Sequence, residues 1–146
     1  MSDALDAPAR ALLGRHRLAH LATAGADGTP HVVPLCFALD GDLLYFVIDA
    51  KPKRRSGTAL KRMRNLLENP AVALVVDDYD EDWRRLAYLL VRGPARILSD
   101  AFEHAAALRL LRARYTQYAT MRLDDPIAHP VVRLDPARVV FWRASK

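Results

Sequence analysis

Six short stretches rich in leucine, β-branched and aromatic residues punctuate the chain: LAHLAT (18–23), HVVPLCFAL (31–39), LLYFVI (43–48), AVALVVDD (71–78), LAYLLVRGPARIL (86–98) and RVVFWR (138–143). Runs of this length and composition form strands. The turn-forming AGADGT and DGD between the first three predict hairpins, and so a meander. AVALVVDD is too continuously apolar for a strand with one solvated face, which places it and its successor centrally. Three segments change period. DAPARALLGR has Pro8 at a helix start, Leu5, Leu12 and Leu13 on one side and Gly14 as a stop. Between Thr58 and Asn69, the residues Ala59, Leu60, Met63, Leu66 and Leu67 recur at helical spacing and NP closes the element. Asp100 with Glu103 resembles a capping box, and Ala101, Ala105, Leu108, Tyr115 and Tyr118 make an apolar stripe on a last helix ending before Met121. Six hairpin-linked strands with flanking helices predict a closed antiparallel β-barrel with helices packed outside.

Length and charge narrow the rest. At 146 residues, without repeats or Gly/Ser-rich linkers, residues 1–146 are expected to form a single domain. Cys36 is the only cysteine, no secretory leader is evident, and no apolar run approaches the roughly 20 residues that cross a bilayer. A cytoplasmic protein that does not enter the membrane is expected. The net charge of +5 is unevenly spread, with seven Lys and Arg between Lys51 and Arg64 and no acid among them, against five acids in DDYDED (77–82). Such a basic block is either a solvated helix face or an anion site. Nucleic acid is the weaker choice of anion, because the block has no interleaved aromatics to stack on bases.

Pro34 interrupts an otherwise convincing strand, and proline cannot donate to a ladder. That strand is an edge, is bulged, or turns its backbone toward a ligand. The histidines His16, His20, His31, His104 and His129 show no metal-ligand spacing, and DDYDEDW lacks the ligand alternation of an EF-hand loop. No nucleophile elbow or phosphate-binding glycine loop is present. Cys36 reads as a small buried hydrophobe, His31 as a partly exposed strand residue, and DDYDEDW with Trp83 as a charged connection between strands.

Taken in order, GTPHVVPLCFALDGDLLYFVIDAKPK, KRMRNLLENPAVALVVDD, YLLVRGPARI and RLDPARVVFWR resemble the pyridoxamine 5′-phosphate oxidase-like superfamily of FMN-binding split β-barrels, over nearly the whole chain. The DAKPK and DYDEDW segments are most similar to its deazaflavin (coenzyme F-420) dependent branch. The resemblance implies a mainly β, six-stranded antiparallel split barrel with flanking helices. It implies a homodimer holding an anionic flavin-type cofactor in two clefts between subunits.

Carried over by position, Val33, Pro34 and Leu35 would lie beside the cofactor ring through their backbone, with Ile48 at the end of the next strand. Lys51 and Lys53 would approach the phosphate or tail, and Lys61 and Arg62 would grip the phosphate. Trp142 matches an aromatic near the cofactor, its alternative being ordinary core. Two departures matter. The oxidases that act on the vitamin continue into a segment with Arg and His, whereas only Arg143, Ala144, Ser145 and Lys146 follow here, so that substrate is not expected. Val33 stands where the FMN enzymes often carry arginine. The function implied is hydride transfer from reduced F-420 to a small organic acceptor, with no dedicated catalytic dyad. An FMN-dependent flavin reductase or oxidase, and a cofactor-binding protein without turnover, are the alternatives.

Overall fold

The computed structural model describes residues 5–48 and 61–145, the side chains of Lys61 and Arg62 apart. Helix α1 (Ala7–Arg15) begins as the sequence predicts, with Asp6 accepting from the Ala9 amide at 3.1 Å and Pro8 in the first turn. Gly14 does not stop it. The helix ends one residue past Arg15, where the Arg114 guanidinium donates to the carbonyls of Leu13 and His16. Leu5, Ala9, Leu12 and Leu13 are buried.

The strands are β1 (Ala19–Ala24), β2 (Pro30–Leu35), β3 (Ala38–Asp40), β4 (Leu43–Val47), β5 (Ala71–Asp78), β6 (Ala87–Ile97), β7 (Val131–Leu134) and β8 (Arg138–Arg143). Among the described residues, eight strands replace the six expected. The 31–39 run breaks at Cys36 and Phe37, because the Phe37 amide and carbonyl both turn to the Tyr115 hydroxyl. The short VVRL segment adds β7. The predicted meander also divides: β2 pairs only with β1, whereas β3 pairs with β4, and the order is β2-β1-β5-β6-β7-β4-β3 with β8 on β6. All the pairings are antiparallel. β5 and β6 are central, as expected.

This curled sheet is a split barrel. β6 binds its halves together, because its first six residues pair with β8 and its last three with β7. The change of partner falls at Gly93 and Pro94. A Cβ on Gly93 would lie 2.0 Å from the Asp135 carbonyl oxygen, so only glycine lets the β7–β8 connection cross so closely.

The core fills the curl. Leu21, Leu35, Leu44, Phe46, Leu74, Val76, Leu89, Val91 and Leu134 meet α1 and Met63 there. The opposite face of β4, with Tyr45 and Val47, packs on helix α3 (Ala101–Arg114) through Ala107, Leu108 and Leu111. The buried stripe of α3 therefore runs through His104, Ala107, Leu108 and Leu111, while Ala101 and Ala105 are exposed. Asp100 caps the helix by accepting from the Phe102 amide, but Glu103 does not complete a capping box, because its carboxylate is taken by Tyr45 and Arg133.

Candidate functional site

β2 forms one edge of the sheet, with His20 opposite Pro34 and Leu21 opposite Val33. The edge accounts for Pro34, which needs no ladder donor there. Alternation then divides the predicted trio. Val33 and Leu35 point into the core, whereas Pro34 joins Val32 on the outer face, where Val32 is 64% exposed. An edge strand leaves the N–H and C=O groups of alternate residues unpaired. Val33 and Leu35 can therefore meet an outer-face ligand only through their backbone. Ile48 is fully buried and its amide donates to the Pro130 carbonyl at 2.8 Å, so it fixes the end of β4 from within. Lys51 and Lys53 lie outside the described residues.

Helix α2 (Lys61–Glu68) is anchored by the polar residues of NLLENP. Asn65 is completely buried and donates from Nδ2 to Thr23 Oγ1 at 2.9 Å. Glu68 Oε1 accepts from the Ala26 amide at 2.9 Å, and Asn69 Oδ1 accepts from the Ala71 amide at 3.1 Å. Helix α2 is thus clamped to the β1–β2 turn. The turn must be small at Gly25, where a Cβ would come within 2.8 Å of Glu68 Oε1 and 3.1 Å of Asn65 Oδ1. Met63 and Leu66 enter the core, but Leu67 faces solvent and Asn65 takes the place that the apolar stripe assigned to it. Of the NLLENP residues, only the prolyl stop shows in a helical hydrophobic pattern; the clamp is visible only once the β1–β2 turn is folded against it.

This clamp holds Lys61 and Arg62 as the first two residues of α2, with Arg64 following and no acid in the first turn. Cations at a helix N-terminus oppose the helix dipole, each at a cost of about 0.3–1 kcal/mol. The same arrangement is favourable once an anion sits at the helix start. The donor set fits a phosphate.

Where the chain leaves α2 at Pro70, the outer sheet face is floored by small apolar residues. Ala22, Ala24, Pro30, Ala71, Ala73 and Pro94 line a shallow concavity of about 600 Å³, with Arg92 on its rim. A flat apolar ring fits such a floor. Trp142 is on the same face at its far end, 43% exposed and stacked on Tyr88 with ring centroids 5.6 Å apart, so it is not a core residue. Trp83 is 67% exposed beyond the β5–β6 hairpin and hydrogen-bonds the Tyr79 hydroxyl. His31 and Cys36 are half-buried.

The shifted ionisations lie away from this face. Hydrogen bonds from Arg15, and then His16, hold Asp78 below the usual carboxylate range at the start of the hairpin. The Tyr45 phenol is pushed up to about 12, first by burial and then by Glu103, beneath α3. On the outer face the chain presents an apolar floor, the backbone of an edge strand and the Arg92 side chain.

The comparisons agree with this geometry. The family model described as pyridoxamine 5′-phosphate oxidase matches residues 5–143. A 5a,11a-dehydrotetracycline/5a,11a-dehydrooxytetracycline reductase of Streptomyces rimosus is 35% identical over 123 residues, covering 84% of this chain and 71% of the relative. A solved structure of an F-420 reductase is 33% identical, covering 90% of this chain and 94% of its own, with a TM-score of 0.66. A FAD-binding protein of Mesorhizobium loti is 26% identical over 94% of each chain, with a TM-score of 0.67. With a sequence match from near one end to near the other, and a split barrel to carry it, this chain belongs to the pyridoxamine 5′-phosphate oxidase family.

Proposed function

We propose that this chain is an oxidoreductase that binds coenzyme F-420 on the outer sheet face and passes its hydride to a small unsaturated organic acceptor. The observation that carries this reading is the acid-free, basic first turn of α2, a helix that Asn65 and Glu68 clamp to the same strand hairpin that contributes Ala22, Ala24 and Pro30 to the apolar floor. Lys61 and Arg62 bind the cofactor phosphate, with Lys51 and Lys53 directed at the remaining anionic groups. The backbone of Val33, Pro34 and Leu35 lies along the ring and Trp142 bounds the cleft, whereas Ile48, placed in the core, supports the end of β4 and does not reach the cofactor. When bound, the deazaflavin supplies the hydride, and solvent supplies the proton that completes the reduction. The chain's residues hold the ring flat on the sheet and exclude water from one side of it. A reductase and an F-420 reductase among proteins of at least 33% identity support the choice.

The protomer acts as a single domain within a homodimer, in the cytoplasm; no helix among the described residues is long and apolar enough to cross a membrane. FMN is the second reading, favoured by the FAD-binding neighbour. A paired fluorescence titration with F-420 and with FMN at physiological salt separates the two. Tighter binding of F-420 is expected; tighter binding of FMN moves the protein to flavin chemistry, and binding of neither removes the proposal. Replacing Lys61 and Arg62 together by alanine should weaken cofactor binding at least tenfold, because two charge-assisted contacts of about 1.5–3 kcal/mol each are lost. Unchanged affinity would refute their role.

A further inference from the structure

The inner face of the sheet carries a cavity of its own, at the other end of β5 from α2. Val76, Leu89 and Phe141 stand in one row across β5, β6 and β8 and close the core there; Asp78, Ala87 and Arg143 stand in the next row out. Helix α1 turns Pro8, Ala11 and Arg15 toward this second row, from positions three and four apart that share one helix face. With alanine at both Ala11 and Ala87, the space between helix and sheet stays open as a cleft of about 220 Å³, lined also by Phe141 and Leu86.

Four arginines line this cleft against one carboxylate. Two of them are committed. Arg15 donates from Nε and Nη2 to Asp78, whose Oδ1 also meets His16 Nε2 at 2.6 Å, and Arg84 is held by both oxygens of Asp82. The other two are not. Arg85 has carboxylate oxygens of Asp80 and Asp82 only at 3.8 and 4.0 Å, past hydrogen-bond reach. The Arg143 guanidinium lies 5.7 Å from the Phe141 ring centroid and has no carboxylate partner among the described residues. Ser145 adds a hydroxyl to the same lining.

We infer that this cleft binds a small organic anion, a carboxylate on a compact apolar body of about one ring's size. Phe141, Leu86, Ala87, Pro8 and Ala11 take the body. Arg85 and Arg143 take the carboxylate, whose two oxygens match the planar fork of a guanidinium. Drug-sized ligands occupy about 300–1,000 Å³, so the cleft selects for smaller molecules. An inorganic anion would leave the apolar wall unmet, and an uncharged ring would leave both guanidinium groups unanswered. Phe141 and Trp142 are consecutive residues of β8 and point to opposite faces, one against the core and the other stacked on Tyr88. The sheet itself therefore separates this cleft from the floor proposed for the cofactor, and its ligand is bound without being reduced. The inference goes beyond the F-420 reading and stands whichever cofactor the outer face takes.

The test is a titration of the full chain with benzoate, read by calorimetry and by the fluorescence of Trp83 and Trp142, the sequence neighbours of Arg84 and Arg143. One benzoate per protomer is expected. Benzamide, its uncharged isostere, and inorganic phosphate should each bind at least tenfold more weakly. R85Q/R143Q should raise the benzoate dissociation constant at least tenfold. A11L keeps every charge, places a good helix former at an exposed position of α1, fills the cleft and should weaken benzoate to the same degree. Circular dichroism and thermal unfolding establish that each variant is folded, and the two variants test the site independently. No saturable binding at millimolar benzoate, benzamide or phosphate binding as tightly, or a folded variant of either kind that binds like wild type each overturns the inference. Competition between benzoate and F-420 would put both on one site and overturn it as well. Benzoate binding is read without cofactor, so failure here is distinct from failure of the F-420 titration.

Discussion

At the scale of single residues, the buried polar groups hold helices onto the barrel. The Tyr45 hydroxyl donates to Glu103 Oε2 at 2.6 Å and Arg133 Nη1 donates to the same oxygen at 2.7 Å, joining β4 and β7 to α3. Glu103 is held below the usual carboxylate range, first by the Tyr45 hydrogen bond and then by that from Arg133. The two shifts act at opposite ends of the pH scale. The stabilisation from Tyr45 is complete below its unfolded value near pH 10 and is lost as pH rises toward about 12. That from Glu103 is complete above its unfolded value near 4.5 and is lost as pH falls below it. Tyr45→Phe should cost about 1.5–3 kcal/mol at neutral pH and flatten the alkaline limb, as read from urea midpoints at pH 7 and 11. Arg114 does a different job. Its guanidinium lies 4.5 Å from the Phe37 ring centroid and donates to two carbonyls at the α1 C-terminus. Arg114→Ala should cost about 2–4 kcal/mol, with Arg114→Lys recovering part of it, in the same denaturation assay.

At the scale of elements, what the sequence made legible was what local pattern determines. The N-terminal helix, the central pair β5 and β6 and the edge position of Pro34 all follow from alternation, caps and a missing donor. Elements set by distant partners were hidden. β7 is four residues between Pro130 and the Asp135–Pro136 step, too short to read as a strand until β4 and β6 close on both its sides. Helix α2 was located from its spacing, yet it is anchored by a buried asparagine that no hydrophobic pattern marks. Gly93 carries the strongest local constraint on β6, since the Asp135 carbonyl occupies the place of its missing side chain. Gly93→Ala should lower the thermal midpoint by at least 5 °C, on the order of 1–2 kcal/mol or more, because backbone on both sides has to move.

At the scale of the whole molecule, the class of fold was readable because period-two stretches and turns repeat over the full length. The proposed cofactor positions are legible only in part: the structure divides Val33, Pro34 and Leu35 between two faces, a division that depends on register with β1 and not on composition. Charge shows the same limit. Summed over the chain it says only that anions are welcome, whereas strand register sets Arg92 directly beside Arg138 on the outer face. The barrel's connectivity also has a consequence during synthesis. β4, apolar on both faces, must wait for β7: Leu44 pairs with Leu134, 90 residues later. At about 5–20 residues per second, the ribosome takes roughly 5–18 s to deliver that partner. Through this interval a sticky strand has only the three-residue β3 as a strand partner, so the nascent chain stays exposed to aggregation and to chaperones until β7 emerges.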